Sequence, residues 1–511
     1  MTGIVPAPAQ IELRPAAAPF RFSEGAHIVA PGTAKRIGAL LAAELLAATG
    51  REVPVFETAP VSPVDRSAGI SLLLRPLDEA SEEAYTLDVS DQGAVVTAST
   101  PAGLYRGTRS LRQLLPVPAS RVDAPSAAWT VPAVTVRDAP RFAYRGVMLD
   151  VVRHFFSVDE VLRLIDAVAM LKVNHFHLHL TDDQGWRIQI DSWPELTGIG
   201  ASTAVGGAPG GFYTKADFVR IVEYAAERFI TVVPEIDLPG HTCAALSAYP
   251  ELNHDGIART PYEGVEVGFS SLSAAPERAE ATDRFLADVM REVAEITPGP
   301  WLHIGGDESW ATPEADYLDL VRRITAAAAS TGKTVIGWHE IGASGALPTG
   351  TVAQYWSYLV PQEHAGVLTA SVVEQGGRVI MSPADTAYLD IQYPGAPATP
   401  HGYALGLDWA DGPTSLEAAY SWEPAGIVPG VGEDAILGVE APLWTETVLT
   451  IDDVEFMVFP RLAAVAEIGW SAAPGDGTRD YADFAARVAG LHAHWDAAGT
   501  RYCTAELDAA G

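Results

Sequence analysis

From residue 144 onward the chain repeats one pattern, in which a short apolar run is followed by a loop and then by apolar residues at helical spacing. Eight of these runs predict β-strands, at residues 145–149, 175–180, 231–236, 301–305, 334–338, 352–356, 378–381 and 436–440. The clearest helices between them are predicted at residues 158–171, 215–228, 279–296, 313–328 and 452–467. Strands that alternate with helices form parallel sheets, and eight such strands close a barrel. The pattern therefore predicts an α/β fold with a (β/α)8 TIM barrel.

The N-terminal part of the chain follows a different pattern, which predicts a small α+β domain. Apolar residues at helical spacing indicate helices at 33–49 and 102–115. Short alternating runs indicate strands at 71–74, 85–89 and 94–96. The last two strands flank Asp91-Gln92-Gly93, a sequence typical of a hairpin turn.

The boundary between the two patterns falls near residue 138. Residues 116–140 are rich in Pro and predict no regular element. We therefore expect an N-terminal α+β domain at 1–138 and a barrel domain at 139–511. A last helix at 480–498 is expected to pack on the outside of the barrel.

Composition and charge exclude several classes of function. The 511 residues are 48% hydrophobic and 19% charged, which is typical of a globular chain with a large core. A net charge of −32 repels nucleic acids and anionic membrane surfaces, so we expect neither as a partner. The first twenty residues lack the basic start and apolar block of a signal peptide, which predicts a cytoplasmic protein, while an extracellular location stays open if a leader has been removed. The two cysteines, Cys243 and Cys503, allow one disulfide bond but predict none.

Charged and aromatic residues follow most of the predicted barrel strands, at the rim where barrels of this kind carry their chemistry. They are Asp150, Arg153, Asp182, His241, Asp307, Glu308, Trp338, Glu340, Trp356, Tyr388, Asp390, Trp444 and Glu446. Flat indole rings bury the C–H faces of pyranose rings, and carboxylates and Arg bind sugar hydroxyls. The combination favours a neutral carbohydrate as the substrate.

Asp307 and Glu308 are the strongest candidates for catalysis. Two glycines precede them, so the chain can bend at the end of the fourth strand and approach a substrate closely. Adjacent residues tend to point in different directions, whereas a retaining pair of carboxylates must face one bond about 5 Å apart. We therefore expect two separate tasks, with Glu308 as the general acid and Asp307 in contact with another group of the same sugar.

Five motifs of the chain resemble glycoside hydrolase family 20, the β-N-acetylhexosaminidases. They lie at 146–156, 177–187, 234–241, 303–308 and 440–446, and the last two read His-Ile-Gly-Gly-Asp-Glu and Glu-Ala-Pro-Leu-Trp-Thr-Glu. Residues 103–115 resemble the end of the small N-terminal domain of that family. The resemblance implies an exo-acting, retaining enzyme that removes terminal N-acetylglucosamine or N-acetylgalactosamine from glycans or chitooligosaccharides. It implies no metal and no cofactor.

The same resemblance implies a role for each site residue. The 2-acetamido group of the sugar attacks the anomeric carbon, and an oxazolinium intermediate forms without an enzyme nucleophile. Glu308 is then the general acid and base, Asp307 orients the acetamido group, and Tyr388 binds its oxygen. Further substrate-binding residues are Trp338, Trp356, Trp444 and Trp409 as walls, Arg153, Asp390 and Glu446 for hydroxyls, and Asp182 and His241 behind the acid.

Three alternatives remain open at this stage. His175, His177 and His179 alternate along one strand and indicate a zinc-dependent hydrolase if further ligands converge. A sugar-binding protein without activity is the second alternative, although binding alone needs no acid. The third is a family member that releases a disaccharide. The sequence also leaves open the gluco or galacto preference and the oligomeric state.

Overall fold

The computed structural model describes residues 3–22, 25–58, 69–116, 129–473, 475 and 479–508. The chain divides into two compact units. One contains Met1–Arg141, Ala169–Lys172 and Ala466–Gly511, and the other contains Phe142–Val168 and Val173–Val465. The domain boundary near residue 138 stays a prediction.

The first unit is an α+β structure. Its strands are β1 (Gln10–Leu13), β2 (Phe20–Phe22), β3 (Ile28–Val29), β4 (Val55–Phe56), β5 (Gly69–Leu74), β6 (Tyr85–Ser90), β7 (Gly93–Ala98), β8 (Trp129–Val131) and β9 (Val134–Asp138). One sheet has the order β1-β9-β6-β7-β5-β3-β4, and β2 pairs with β8. Helices α1 (Ala34–Thr49) and α2 (Pro101–Leu114) belong to this unit. The side chain of Thr100 caps α2 by accepting a hydrogen bond from the backbone of Gly103.

Both predicted helices and all three predicted strands of this unit are present, with ends that shift by at most two residues. The hairpin turn also lies where the sequence predicts it, because Ser90 pairs with Gly93 across Asp91 and Gln92. The expectation of no regular element at 116–140 was wrong for β8 and β9. Residues 117–128 of that passage lie outside the described residues. β9 forms because it pairs with both β1 and β6, which are distant in sequence.

The second unit contains the closed barrel that the sequence predicts. Its strands are β10 (Tyr144–Asp150), β11 (His175–His179), β12 (Thr181–Asp182), β13 (Gly185–Trp186), β14 (Thr231–Glu235), β15 (Trp301–His303), β16 (Thr334–Trp338), β17 (Val352–Tyr355), β18 (Arg378–Met381) and β19 (Ile436–Leu443). All but β12 and β13 close the barrel, in chain order, and all pairings in it are parallel. β12 and β13 pair with each other as a short hairpin. The fourth predicted strand ends earlier, at His303, because the chain turns at Gly305 with a positive φ of 68°.

Helices and short turns connect the strands of this unit. They are α3 (Val158–Ala169), α4 (Glu195–Gly198), α5 (Lys215–Ala226), α6 (Cys243–Ala248), α7 (Ala279–Glu295), α8 (Glu314–Ser330), α9 (Ala365–Glu374), α10 (Ala384–Ala387) and α11 (Leu416–Tyr420). After the last strand come α12 (Ile451–Val458) and α13 (Arg461–Trp470), and α13 belongs to the first unit from Ala466 onward. Shorter 3-10 turns lie at Val205–Gly207, Pro250–Leu252, His339–Ala343 and Glu433–Ala435. The single helix predicted at 452–467 is two helices, because Pro460 lacks the amide hydrogen that a continuous helix needs.

The last predicted helix, at 480–498, is likewise two helices, α14 (Tyr481–Ala489) and α15 (His492–Ala498), and α16 (Ala505–Asp508) follows them. All three belong to the first unit. No helix in the described residues combines the length and apolar character that crossing a bilayer requires. Cys243 and Cys503 are both buried, and neither forms a disulfide bond within the described residues.

The barrel interior has an apolar layer and a polar layer. Six apolar side chains from six strands pack together: Tyr144, Val233, Ile336, Val352, Ile380 and Leu437. Glu235, Trp338 and Gln354 lie two residues further along three of these strands and are fully buried. Residues two apart on a strand share a face, so these polar groups lie above the apolar layer, toward the carboxyl ends. The polar layer forms the floor of the site.

Candidate active site

The carboxyl ends of the barrel strands surround a cavity of about 860 Å³. Most of the predicted site residues line it: Arg153, Asp182, His241, Asp307, Glu308, Trp356, Tyr388, Asp390, Trp409, Trp444 and Glu446. Trp338 is the exception, because it is fully buried and does not line the cavity. Its ring centroid lies 5.9 Å from that of Trp444 and 5.0 Å from that of His303. The role of Trp338 as a wall stays a prediction.

Asp307 and Glu308 enter the cavity on a loop whose conformation requires glycine. A Cβ atom on Gly305 would lie 1.6 Å from Oδ1 of Asp237, so no other residue fits there. The amide of Gly306 donates to that same oxygen over 3.2 Å. Glu308 itself has a positive φ of 44°, a strained conformation that costs roughly 1–3 kcal/mol and is concentrated at functional sites.

His241 connects both acids to a buried charge network. Its Nε2 lies 3.5 Å from Oε2 of Glu308 and 3.8 Å from Oδ2 of Asp307, and its Nδ1 lies 3.1 Å from Oδ1 of Asp182. Arg153 lies 2.7 Å from the other oxygen of Asp182. Burial opposes both charges, yet Arg153 and His241 hold the pKa of Asp182 well below its usual range, and Asp182 and Asp307 raise that of His241. His241 is therefore a buried cation that faces the acid pair.

The network continues from Asp182 into the barrel interior. His179 lies 3.1 Å from Asp182 and 2.6 Å from Glu235, and Glu235 lies 3.1 Å from His177. His177 in turn lies 2.8 Å from Glu440. The two glutamates were not predicted as site residues, although a carboxylate within an otherwise apolar strand is a usable signal. Each of them is buried and offsets the charge of a neighbouring imidazole.

Aromatic rings form one continuous wall of the cavity. The ring of Trp409 lies 6.2 Å from Trp356 and 5.7 Å from Tyr388, and Tyr388 lies 6.5 Å from Trp444. The indole nitrogen of Trp356 donates to both oxygens of Glu340, over 2.9 and 3.1 Å. Burial raises the pKa of the Tyr388 hydroxyl well above its usual range, so it remains protonated and can donate.

Several buried polar atoms around the cavity lack a partner within the described protein. They include Oδ1 of Asp307, Oδ2 of Asp390 and Oε2 of Glu446. A buried polar atom without a partner is destabilising, which is typical of a group that binds a polar ligand. Arg153 lies 4.0 Å from Glu446 and above the Trp444 ring at 4.9 Å. The arrangement fits a ring that has hydroxyls at its edge and C–H groups on its face.

Glu340 lines the cavity but was not predicted as a catalytic or binding residue, although it follows the end of a predicted strand. Burial and the charge of Asp307 raise its pKa to about 8. Tyr317, also on the cavity wall, was missed because it lies within α8, where its hydroxyl donates to the carbonyl of Gly306 over 2.8 Å. This hydrogen bond supports the loop that carries the acid pair.

Two histidines of β11, His177 and His179, are held by carboxylates in an arrangement that also brings possible metal ligands together. In the described residues, groups such as His177, Glu235 and His303 bring possible ligand atoms within 4.8 Å of one another. His175 is outside these groups, since Asn174 and Trp301 contact its two ring nitrogens at 2.7 and 3.1 Å. Although burial lowers the pKa of His177, Glu440 and Glu235 raise it to about 9, so without a metal this imidazole is a cation between two carboxylates.

The cavity lies at the carboxyl rim of a (β/α)8 barrel and has an aromatic wall and unpartnered polar atoms, which suit a bound sugar. An acid beside it can protonate the oxygen of that sugar's glycosidic bond. The fold and the site thus define a glycoside hydrolase.

Comparison with known proteins gives the family. Residues 142–318 and 314–473 match glycosyl hydrolase family 20, catalytic domain, and residues 1–139 match domain 2 of that family. A β-N-acetylhexosaminidase of Cellulomonas fimi is 43% identical over 91% of this chain and 88% of its own length. The chain belongs to glycosyl hydrolase family 20 and is an enzyme of the β-N-acetylhexosaminidase class, as its motifs predicted.

Solved structures agree with this assignment. The GH20 β-N-acetylhexosaminidase from Streptomyces coelicolor A3(2) has a TM-score of 0.89 and 44% identity, over 98% of this chain and 97% of that one. A mutant Streptomyces plicatus β-hexosaminidase in complex with product (GlcNAc) has a TM-score of 0.88 and 43% identity, over 98% of this chain and 96% of that one.

Exhaustive chelation is expected to leave the activity of this enzyme unchanged. The physical reason is that carboxylates already lie within 3.1 Å of both ring nitrogens of His177 and His179. The measurement is the hydrolysis rate after dialysis against EDTA, with and without added Zn²⁺. Loss of activity that Zn²⁺ restores would instead support the zinc alternative.

Proposed function

We propose that this enzyme removes terminal, non-reducing N-acetylglucosamine or N-acetylgalactosamine from glycans or chitooligosaccharides, with retention of configuration and with the substrate's own acetamide as nucleophile. The observation that carries the proposal is the placement of Asp307. Its carboxyl is buried beside Glu308 and His241, and one of its oxygens has no partner in the described protein. An acetamido N–H of a bound sugar would satisfy that oxygen.

Four other carboxylates of the cavity, Asp182, Glu340, Asp390 and Glu446, are poorly suited to act as an enzyme nucleophile. Asp182 is occupied by Arg153, His179 and His241. Burial raises the pKa of Glu340, Asp390 and Glu446, which favours their neutral forms, and a neutral carboxyl group is a weak nucleophile. The substrate's acetamide is therefore the better-placed nucleophile.

In the proposed first step, the acetamide carbonyl oxygen forms a bond to the anomeric carbon while the bond to the leaving oxygen breaks. Glu308 donates its proton to that oxygen, and the oxazolinium ring that forms carries a positive charge. In the second step Glu308 takes a proton from water, the water oxygen bonds to the anomeric carbon, and the ring reopens. The two displacements together retain the configuration.

Asp307 and Tyr388 orient the acetamide for this attack. Asp307 accepts a hydrogen bond from the acetamido N–H, and the Tyr388 hydroxyl donates to the carbonyl oxygen. Burial raises the pKa of Asp307 to about 7 in the free enzyme, and a positive charge on the neighbouring nitrogen would lower it, so the ionised carboxylate is the form that stabilises the oxazolinium ring. Trp356 and Trp444 limit the rotation of the acetamide, which makes the attack effectively intramolecular.

Hydroxyl recognition completes the proposal. Arg153, Asp390 and Glu446 lie at one side of the cavity, where the unpartnered oxygens of the two acids can accept from sugar hydroxyls. A charged donor beside two acceptors suits either orientation of the hydroxyl at O4, which supports the cleavage of both epimers. The gluco form is expected to react faster.

Asp307→Asn is expected to lower kcat for an N-acetylglucosaminide by roughly 10²- to 10³-fold, because a neutral amide does not stabilise the positive charge of the oxazolinium ring. A thiazoline analogue of that ring should inhibit the wild type strongly and the variant weakly. The measurements are kcat and the inhibition constant. Asp316→Asn, on the exposed side of α8, is the matched control. Full activity and strong inhibition in the Asp307→Asn enzyme would contradict the proposal.

A further inference from the structure

Trp310 lies two residues after Glu308 and lines the cavity. It is 71% exposed, which is the highest value for an aromatic side chain within the described ranges. Burial of an apolar side chain is favourable, so a large exposed indole at the edge of a binding cavity is typical of a surface that a ligand covers. The proposed chemistry assigns no task to Trp310.

The loop that carries Trp310 packs against, and is hydrogen-bonded to, the segment that contains Gly268 and Ser271. A Cβ atom on Gly268 would lie 2.2 Å from the Trp310 ring, so the indole packs directly on the backbone of that glycine. The amide of Ala311 donates to the carbonyl of Gly268 over 2.9 Å. The Thr312 hydroxyl donates to Ser271 over 2.6 Å. Part of the indole is thus in contact with protein, while most of the ring stays exposed to a ligand.

Trp310 is separate from the aromatic wall described above. Ring contacts connect Trp356, Trp409, Tyr388 and Trp444 to one another, and no ring contact in the described chain connects them to Trp310. Glu308, two residues before Trp310, and Val267, the chain neighbour of the Gly268 on which the ring packs, also line the cavity, as does Val265, which is exposed. The cavity therefore has two apolar surfaces, one on the acetamide side and one beside the acid.

The position beside the acid indicates what the second surface binds. An exo-acting enzyme holds the terminal sugar in the closed part of its cavity, with the glycosidic oxygen next to the acid. The group on the other side of that oxygen then extends toward the mouth, past Glu308. A cavity of about 860 Å³ is in the range that holds a ligand of drug size, which is larger than one sugar ring.

We propose that Trp310, with Val265 and Val267, forms a binding site for the first sugar of the leaving group, a β-linked hexopyranose whose C–H face stacks on the indole. The inference rests on the proposed function and extends it, since it names oligosaccharides as better substrates than simple glycosides. Stacking of a C–H face needs no hydrogen bonds, so the site tolerates different hydroxyl patterns on that sugar.

The test compares two substrates that release alcohols of similar chemistry. N,N′-diacetylchitobiose carries a second sugar ring, and methyl N-acetyl-β-D-glucosaminide carries none. Trp310→Ala is expected to lower kcat/KM for the disaccharide roughly tenfold, a typical effect of one stacking contact, and to change that for the methyl glycoside less than about twofold. Trp310→Phe, which keeps a flat ring, should retain most of the preference.

Phe212→Ala is the matched control, because Phe212 is an exposed aromatic residue that does not line the cavity, and neither substrate should be affected. Thermal unfolding of each variant checks the fold. An equal loss for both substrates in Trp310→Ala would overturn the proposal and assign Trp310 to support of the Glu308 loop. No change for either substrate would also overturn it. Failure of the proposed function would give a different result, because the wild-type enzyme would then cleave glycosides that lack the acetamido group.

Discussion

Replacing the 2-acetamido group of an aryl β-N-acetylglucosaminide by a hydroxyl is expected to lower kcat/KM by roughly 10³- to 10⁵-fold. The acetamide is the proposed nucleophile, and a well-oriented intramolecular group has an effective concentration on the order of 10⁵ M or more. Loss of its contacts with Asp307 and Tyr388 alone would produce a much smaller change. The measurement is kcat/KM for the two aryl glycosides with the same leaving group.

A 2-fluoro sugar provides the control for this expectation. It slows the breakdown of a covalent glycosyl-enzyme, so an enzyme that uses its own carboxylate accumulates an adduct that is visible by intact mass. We expect no adduct. Comparable cleavage of the plain glucoside, or an adduct on Asp307, Asp182 or Glu446, would restore a two-carboxylate scheme and remove the proposed roles of Asp307 and Tyr388.

Glu308→Gln is expected to lower turnover of oligosaccharides by roughly 10²- to 10⁴-fold, the range for a lost general acid. An oligosaccharide releases an alkoxide-like oxygen that needs a proton, and Gln does not supply one. Aryl glycosides with good leaving groups need less protonation, so the cleavage step should slow less for them. The measurement is single-turnover cleavage of both substrate types.

Glu314→Gln is the matched control for this variant, because Glu314 is an exposed glutamate at the start of α8. It should cleave both substrate types at the wild-type rate. If Glu308→Gln slows both types equally at the cleavage step, Glu308 is not the acid. His241, which lies 3.5 Å from Glu308 and 3.8 Å from Asp307, would then be the next residue to test as the general acid.

The barrel and the composition of its rim were predictable because both depend on local pattern. A buried strand followed by an amphipathic helix is a short-range signal, and the carboxyl ends of parallel strands share one rim whatever their separation in the chain. Asp307 and Glu308 were identifiable for this reason, and so were Trp444 and Glu446. Their catalytic and binding roles remain predictions from the family resemblance.

Other features were decided only by contacts between distant parts of the chain. β9 forms in a Pro-rich passage because β1 and β6 pair with it on both sides. Periodicity alone does not distinguish one helix at 452–467 from the two that the chain forms there.

The sequence by itself determined most of the residues that gather at the rim, including Asp307 and Glu308. Only the tertiary structure decided that Trp338 is buried outside the cavity lining, that Asp237 makes glycine necessary at position 305, and that His241 bridges the acids to Asp182. Burial and charge also set the pKa of Glu340 at about 8, although its sequence neighbours give no sign of it. The physical reason is that burial, close approach and electrostatic interaction depend on distances between side chains that are remote in sequence.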